Sequence, residues 1–543
     1  MLVLLVVVVP GMGNATHERL TRASVDADGG YAGWGSEHAS MSGNGRRIVF
    51  EAYGSLVPED RNYDYHDIYL RDFDTQQTTL LSVAPDGGPA YGPNDSPVIS
   101  GNGRYVAFTS GSERLIAGDT NGVSDIYVRD LETQTTQRAS VANDGSEANG
   151  ESIAAAISDD GRYIAFVSSA SNLVSGDANN APDVFVRDTL DGATTLASVA
   201  TGGAQADAGA DQVAISGDGR TIAFTSIATN LAPDDTATCG FGAQNCPDVF
   251  VRDLDAGTTR RISTTKTGAA ANGISLDASL SADGSKVAFV SRASDLPGGA
   301  PPAWNVYVAD TATGAISLAS PAGDGRPDGA SSRVARIAAD GHAVIFESYA
   351  GTFDHPTGGI YIRDLLNQTT EKPAFTNNDT QGNARARDPA LSSDGRVILF
   401  RSDASDFGPN NGEMQTYVYD RTPSPTEMIV NPAYVNIAVP RVSLVARLIE
   451  SGTDDGIGNR TIRFLTPGGI EICRATTSRY GYAACAGLTP EFVVGAVMYR
   501  AVFGGDSQFL GSSADSSGLT ISRPPCSHTQ LDEVLANLGI PCN

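Results

Sequence analysis

Two stretches within one repeat unit decide the fold: "SPVISGNGRYVAFTS" (Ser96–Ser110) and, after a gap, "DIYVRDLETQTTQRAS" (Asp125–Ser140). Asn102-Gly103 stands between two short apolar runs, and this dipeptide signals a tight hairpin because both residues tolerate positive φ. Ser96–Ser100 predicts one strand, "RYVAFTS" a second, "DIYVRD" a third and "TTQRAS" a fourth. The middle two are apolar or aromatic at nearly every position instead of alternating, as expected of strands covered on both faces.

The unit recurs along the chain. Its turn glycine returns at Gly45, Gly103, Gly161, Gly219, Gly284, Gly341 and Gly395, and its strand phenylalanine at Phe50, Phe108, Phe166, Phe224, Phe289, Phe346 and Phe400. Successive glycines are 58, 58, 58, 65, 57 and 54 residues apart. A small sheet apolar on both faces needs neighbours on both sides, and radial stacking of four-stranded sheets supplies them. The expected fold class is therefore all-β, with a seven-bladed β-propeller over residues 17–421. The seventh copy has "DPALS", "VILFRS" and "QTYVYD" but then breaks at "RTPSP", while "RLTRAS" (Arg19–Ser24) is a fourth strand without a blade. Pairing the two would remove open sheet edges, so the N-terminal strand is expected to close the ring.

The motifs Ser-x-Asp-Gly-Arg-x-Ile-Ala-Phe and Asp-Ile-Tyr-Val-Arg-Asp resemble the WD40-like (PD40) repeats of TolB-like propellers. That resemblance implies a binding scaffold or an accessory to another domain, and specifies no chemistry. Beyond residue 422 the pattern changes. Tyr499, Ala501, Phe503, Gly505, Asp506 and Phe509 match the Tyr-x-Ala-x-Phe-x-Gly-Asp-x-x-Phe stretch of bacterial Ig-like domains. The resemblance implies a β-sandwich over residues 423–522, acting as spacer or adhesive module. "QLDEVLANLGI" (Gln530–Ile540) has the leucine spacing of a short helix within a tail at 523–543.

Residues 1–15 open with an apolar run of signal-peptide length, too short to span a bilayer and lacking a basic segment before it. The six cysteines form close pairs: Cys239 with Cys246, Cys473 with Cys485, and Cys526 with Cys542. Such even local pairing reads as disulfides in an extracytoplasmic chain, the last clipping the helical tail. A net charge of -26 argues against nucleic acid and anionic membrane, and leaves protein or glycan partners for what reads as a monomer.

Strand direction sorts the connections: short turns share one end of the blades and long loops the other. Ligand groups usually sit on loops held by a rigid scaffold, so the long-loop end is the candidate. Glu37, Asp95, Asp211, Asp277 and Asp388 lie near the starts of the first strands there and are expected to ring the channel mouth. Asp119, Asn121 and Asp125 recur as Asp177, Asn179 and Asp183, and more loosely at Asp60, Asn62, Asp64 and Asp67. Calcium takes such oxygens, but an EF-hand's terminal Glu is missing, and Asp, Asn and Gly are what turns select. No cofactor is therefore expected, with structural calcium as the alternative. The Asp ending each third strand reads as turn chemistry, and the Arg before it as the partner of a nearby carboxylate.

The enzyme reading is second. Too few residues follow the last blade for a hydrolase domain, and no Gly-x-Ser-x-Gly elbow occurs. His38, His66 and His355 fall on separate elements and are expected to be separate surface residues. A glycan-active hydrolase or lyase using the mouth carboxylates is the alternative to a non-catalytic scaffold.

Overall fold

The structure, a computed structural model, describes residues 20–520 apart from 31, 63–64, 234–244, 299–302, 322–330, 350–358, 374, 376–383, 408–411, 422–425, 431–432, 437–440, 452–455, 467, 479, 489–498, 506–509 and 517–518. The leader, Cys239, Asp64, His355, Asp506, Phe509, and the tail with Cys526 and Cys542 lie outside the described residues. The chain divides into two compact units, Arg19–Asp420 and another that begins at Arg421.

The first unit is all-β. Its described strands form seven four-stranded antiparallel sheets, the arrangement of a β-propeller. Sheet 1 comprises Ser36–Met41, Arg47–Tyr53, His66–Asp72 and Gln77–Leu80. Sheet 2 comprises Asn94–Ile99, Tyr105–Ser110, Asp125–Asp130 and Thr135–Arg138, so its first strand starts two residues before the sequence reading. Sheets 3 to 6 repeat the plan over residues 152–196, 210–261, 275–318 and 332–371. Sheet 7 takes three strands from residues 387–420 and its fourth from the N-terminus, where Leu20 pairs with Tyr419 and Arg22 with Tyr417. The Ser24 hydroxyl also donates to Gln415 Oε1 at 2.8 Å, fastening the two ends of the unit.

Aromatic ladders hold each sheet's middle. The repeat Phe of the second strand faces an aromatic of the third in every sheet, from Phe50–Tyr69 at 5.9 Å to Phe400–Tyr417 at 5.7 Å between ring centroids. The apolar cores lie between sheets rather than within them. Ile126 and Val128 of sheet 2 share a cluster with Ile164 and Phe166 of sheet 3, and Ile48 and Phe50 of sheet 1 share another with Leu399 and Val418 of sheet 7. This explains the continuous apolar runs in the sequence: both faces of each middle strand pack on a neighbouring sheet.

The second unit packs two sheets around one core, with Leu444, Ala446 and Leu448 from one meeting Ile462, Phe464 and Ala501 from the other. Cys473 and Cys485 form the expected disulfide and tie these two sheets together. The Tyr499 hydroxyl donates to the Val445 carbonyl at 2.7 Å and accepts from its N–H at 3.1 Å, pinning the strands across the core. Among the described residues no helix is long and apolar enough to cross a membrane.

Candidate functional site

The first strand of every sheet carries one device that alternation in the sequence does not reveal. Its register against the second strand shifts near its start, and a non-glycine residue there has positive φ: His38, Ser96, Ala154, Gln212, Asp277, Val334 and Asp388, from 30° to 56°. A bulge leaves two residues opposite one and re-aims a side chain that would otherwise point to the far face. Because it recurs in every sheet, the backbone strain belongs to the fold and not to one site.

In sheet 1 the bulge assembles a cluster. Glu37 lies directly opposite Glu51 on the neighbouring strand. Strict alternation would send His38 to the other face, yet its Nδ1 lies 3.0 Å from Glu51 Oε2. His66 stands diagonally across the next strand pair, where Tyr53 faces His66 and Glu51 faces Ile68, and its Nδ1 meets Glu51 Oε1. The Ser96 N–H of sheet 2 donates to Glu51 Oε2 at 3.2 Å. Glu51 is 3% exposed, while the imidazoles of His38 and His66 are 58% and 38% exposed, so a buried carboxylate holds two rings that reach solvent. Burial pushes the Glu51 carboxyl up, but the bonds from His38 and His66 outweigh it and the net shift is downward. The bond to Glu51 raises His38 above the ordinary imidazole value. Asp95, beside this group, is pushed up by burial and then by the Glu51 charge.

The two histidines expected to be separate are therefore joined. The available signal was Glu51 itself: a charged residue at a strand position that is Thr or Val in the other copies, except for Glu347 and Arg401.

The expected carboxylates do not form one uniform ring. Glu37, Asp95 and Asp211 occupy the paired position before the bulge, and Asp277 and Asp388 the bulge itself. Asp277 is ion-paired to Arg336 at 2.8 Å and accepts from the Ala335 N–H at 3.1 Å. Asp388 is ion-paired to Arg401, with Arg401 Nε at 2.9 Å, and its own N–H donates to buried Glu347. Burial pushes Asp211 up. Glu37, Asp95 and Asp211 thus remain the acids without a guanidinium partner among the described residues.

The Asp-x-Asn loops are internally bonded. In sheet 2, Tyr127 donates to Asp119, Asn121 Nδ2 to Asp125 at 2.8 Å, and the Arg138 guanidinium ion-pairs with Asp119, Asp125 and Glu147 at 3.2, 3.1 and 2.7 Å. In sheet 3, Asn179 bonds Asp183 at 2.8 Å, and Gln205 Nε2 reaches Asp177 and Asp183 at 2.7 and 3.0 Å. Cys246 is buried and disulfide-bonded. At the short-turn end the third-strand Asp takes its turn role: Asp130 accepts from the Glu132 N–H at 2.9 Å and from Arg104 Nη2 at 2.7 Å. The preceding arginine departs from expectation. Arg129 bonds Gln134 Oε1 and Thr136 Oγ1, and Arg71 and Arg363 do the same with their counterparts, because the turn before the fourth strand offers an amide oxygen and the strand a hydroxyl beside the guanidinium instead of a carboxylate.

No family model matches the chain, and no curated protein does. Among solved structures, a TolB candidate from Agrobacterium tumefaciens is similar at 13% identity and a TM-score of 0.30, over 66% of this chain and 95% of that one. An acylaminoacyl peptidase from Pyrococcus horikoshii is similar at 10% identity and a TM-score of 0.42, over 78% of this chain and 59% of that one. Hydrazine synthase from Kuenenia stuttgartiensis is similar at 14% identity and a TM-score of 0.36, over 75% of this chain and 98% of that one.

Proposed function

We propose that the chain is an exported, non-catalytic binding or adhesion scaffold: a seven-bladed propeller closed by its N-terminal strand, joined to an Ig-like sandwich, and taking a protein or glycan partner at the long-loop end. One observation carries the choice of site. Glu37 and Asp95 sit beside His38, and an exposed aromatic edge continues from them: His66 stacks edge-on to Tyr53 at 5.2 Å and Tyr53 to Trp34 at 6.2 Å, with Trp34 70% exposed. Carboxylates accept from hydroxyl or ammonium groups, and an aromatic face offers apolar cover, a pairing suited to sugars and basic peptides. The Cys473–Cys485 disulfide supports an extracytoplasmic setting.

A glycan and peptide array with product analysis on the same samples tests this reading. Binding without turnover, weakened about tenfold or more by Trp34→Ala or Asp95→Asn, is expected; the absence of any bound ligand would refute it. The hydrolase or lyase reading is favoured by one feature, the exposed His38 imidazole oriented by a buried carboxylate. Turnover that disappears in His38→Ala or Asp211→Asn would establish that reading instead.

A further inference from the structure

Beyond the scaffold reading, we propose that Glu37, His38 and Glu51 form a site for one divalent transition-metal ion of the zinc class, with His66 positioning Glu51. A donor atom from each of the three lies within 4.8 Å of the others. Donors about 2.1 Å from a shared ion stand at most about 4.2 Å apart, so a small contraction suffices. One imidazole and two carboxylates suit zinc and its neighbours, whereas calcium requires six to eight oxygens. Glu37 and His38 are exposed, which leaves an open coordination position toward solvent.

The electrostatics point the same way. Glu37 and Glu51 are opposite each other across a strand pair, an arrangement that like charges disfavour. Among the described residues neither has an Arg or Lys in ion-pair contact. Of the other first-strand acids, Asp95 and Asp211 lack a guanidinium partner among the described residues, whereas Asp277 is neutralised by Arg336 and Asp388 by Arg401. A cation between Glu37 and Glu51 would do in sheet 1 what guanidinium does in those sheets. His66 and the Ser96 N–H already hold the Glu51 carboxylate in one orientation, the outer support that ligating carboxylates require.

The site is single. The bulge recurs, but the position of His38 is Ser96, Ala154, Gln212, Val334 or an acid in the other sheets. The ion would replace the proton that His38 shares with Glu51, so affinity must fall as the imidazole protonates.

The test uses the full chain, stripped with chelator and titrated calorimetrically with zinc chloride, with bound metal counted by elemental analysis. One equivalent per chain is expected, with affinity lower at about pH 5.5 than at about pH 7.5. His38→Ala and Glu37→Gln should each weaken binding by about tenfold or more, and Glu51→Gln likewise. His38 and Glu37 are exposed, so those two variants remain informative even if Glu51→Gln fails to fold. No binding, affinity unchanged in both exposed-residue variants, or equal binding of calcium chloride at this site would overturn the proposal. None of these readouts depends on a glycan or peptide, so failure here leaves the scaffold reading untouched.

Discussion

Sheets 1 and 2 carry the same buried acid cluster and neutralise it differently. In both, a tyrosine donates to the first acid, Tyr69 to Asp60 and Tyr127 to Asp119. In both, a serine donates to the second acid, Ser82 to Asp67 and Ser140 to Asp125, and an asparagine reaches a carbonyl of the following loop. The difference lies in the fourth strand, at the residue facing that tyrosine: Arg138 in sheet 2 and Leu80 in sheet 1. Arg138 ion-pairs with both acids of its sheet. Leu80 offers them nothing, and the buried Asp67 Oδ2 and Asn62 Oδ1 have no hydrogen-bond partner. Burial therefore pushes Asp67 up to about 7, helped by the Asp60 charge, and the proton takes the place of the guanidinium. In sheet 3 the same acids are served by the neutral donor Gln205. Burial pushes Asp125 and Asp183 up as well, so the repeated turn motif specifies where the acids lie, while residues outside the motif decide which groups face them.

The largest effect should come from making sheet 2 resemble sheet 1. Arg138→Leu leaves Asp119 and Asp125 buried without their cation and should cost about 3–5 kcal/mol by chemical denaturation. The Asp67 proton should then appear in the pH dependence of the wild-type protein. Its folded value lies above the unfolded one of 3.8, so the stability it contributes is complete below about pH 4 and lost as pH rises through about 7. At about 1.4 kcal/mol per pH unit the span is at most about 4 kcal/mol. Asp67→Asn should flatten that part of the profile, measured as Tm against pH; an unchanged profile would show that Asp67 ionises normally. Gln205→Ala removes a neutral donor from the third version of the cluster, and a smaller loss of about 1–2 kcal/mol is expected. Calcium should do least. With the loop acids engaged by Arg138, Gln205 and turn donors, calcium added to metal-free protein should move Tm by less than about 1 °C, and a larger rise would show a structural ion in these loops.

Much of the architecture was readable because the repeat places turn residues and aromatics at fixed spacing. Gly103 has a φ of 73° and lies in the turn that Asn102-Gly103 announced, and the Phe of each copy faces an aromatic across the strand pair. The orphan strand before the first copy pairs where an open edge required it. The site was less legible. The first-strand bulges escape the period-2 pattern because one extra residue reverses which side chains share a face, and nothing in composition marks it. That reversal is what carries His38 to Glu51. The expected ring of acids divided for a similar reason: Asp277 and Asp388 looked equivalent to Asp211 until Arg336 and Arg401 were found beside them.

Repetition, turn chemistry and apolar runs, all local in the chain, were enough to dictate sheets, strand order and which ends carry long loops. Which acids are ion-paired and which are buried without a cation is decided only in three dimensions. Charge depends on what approaches within a few ångströms, and those approaches come from residues on other strands and other sheets.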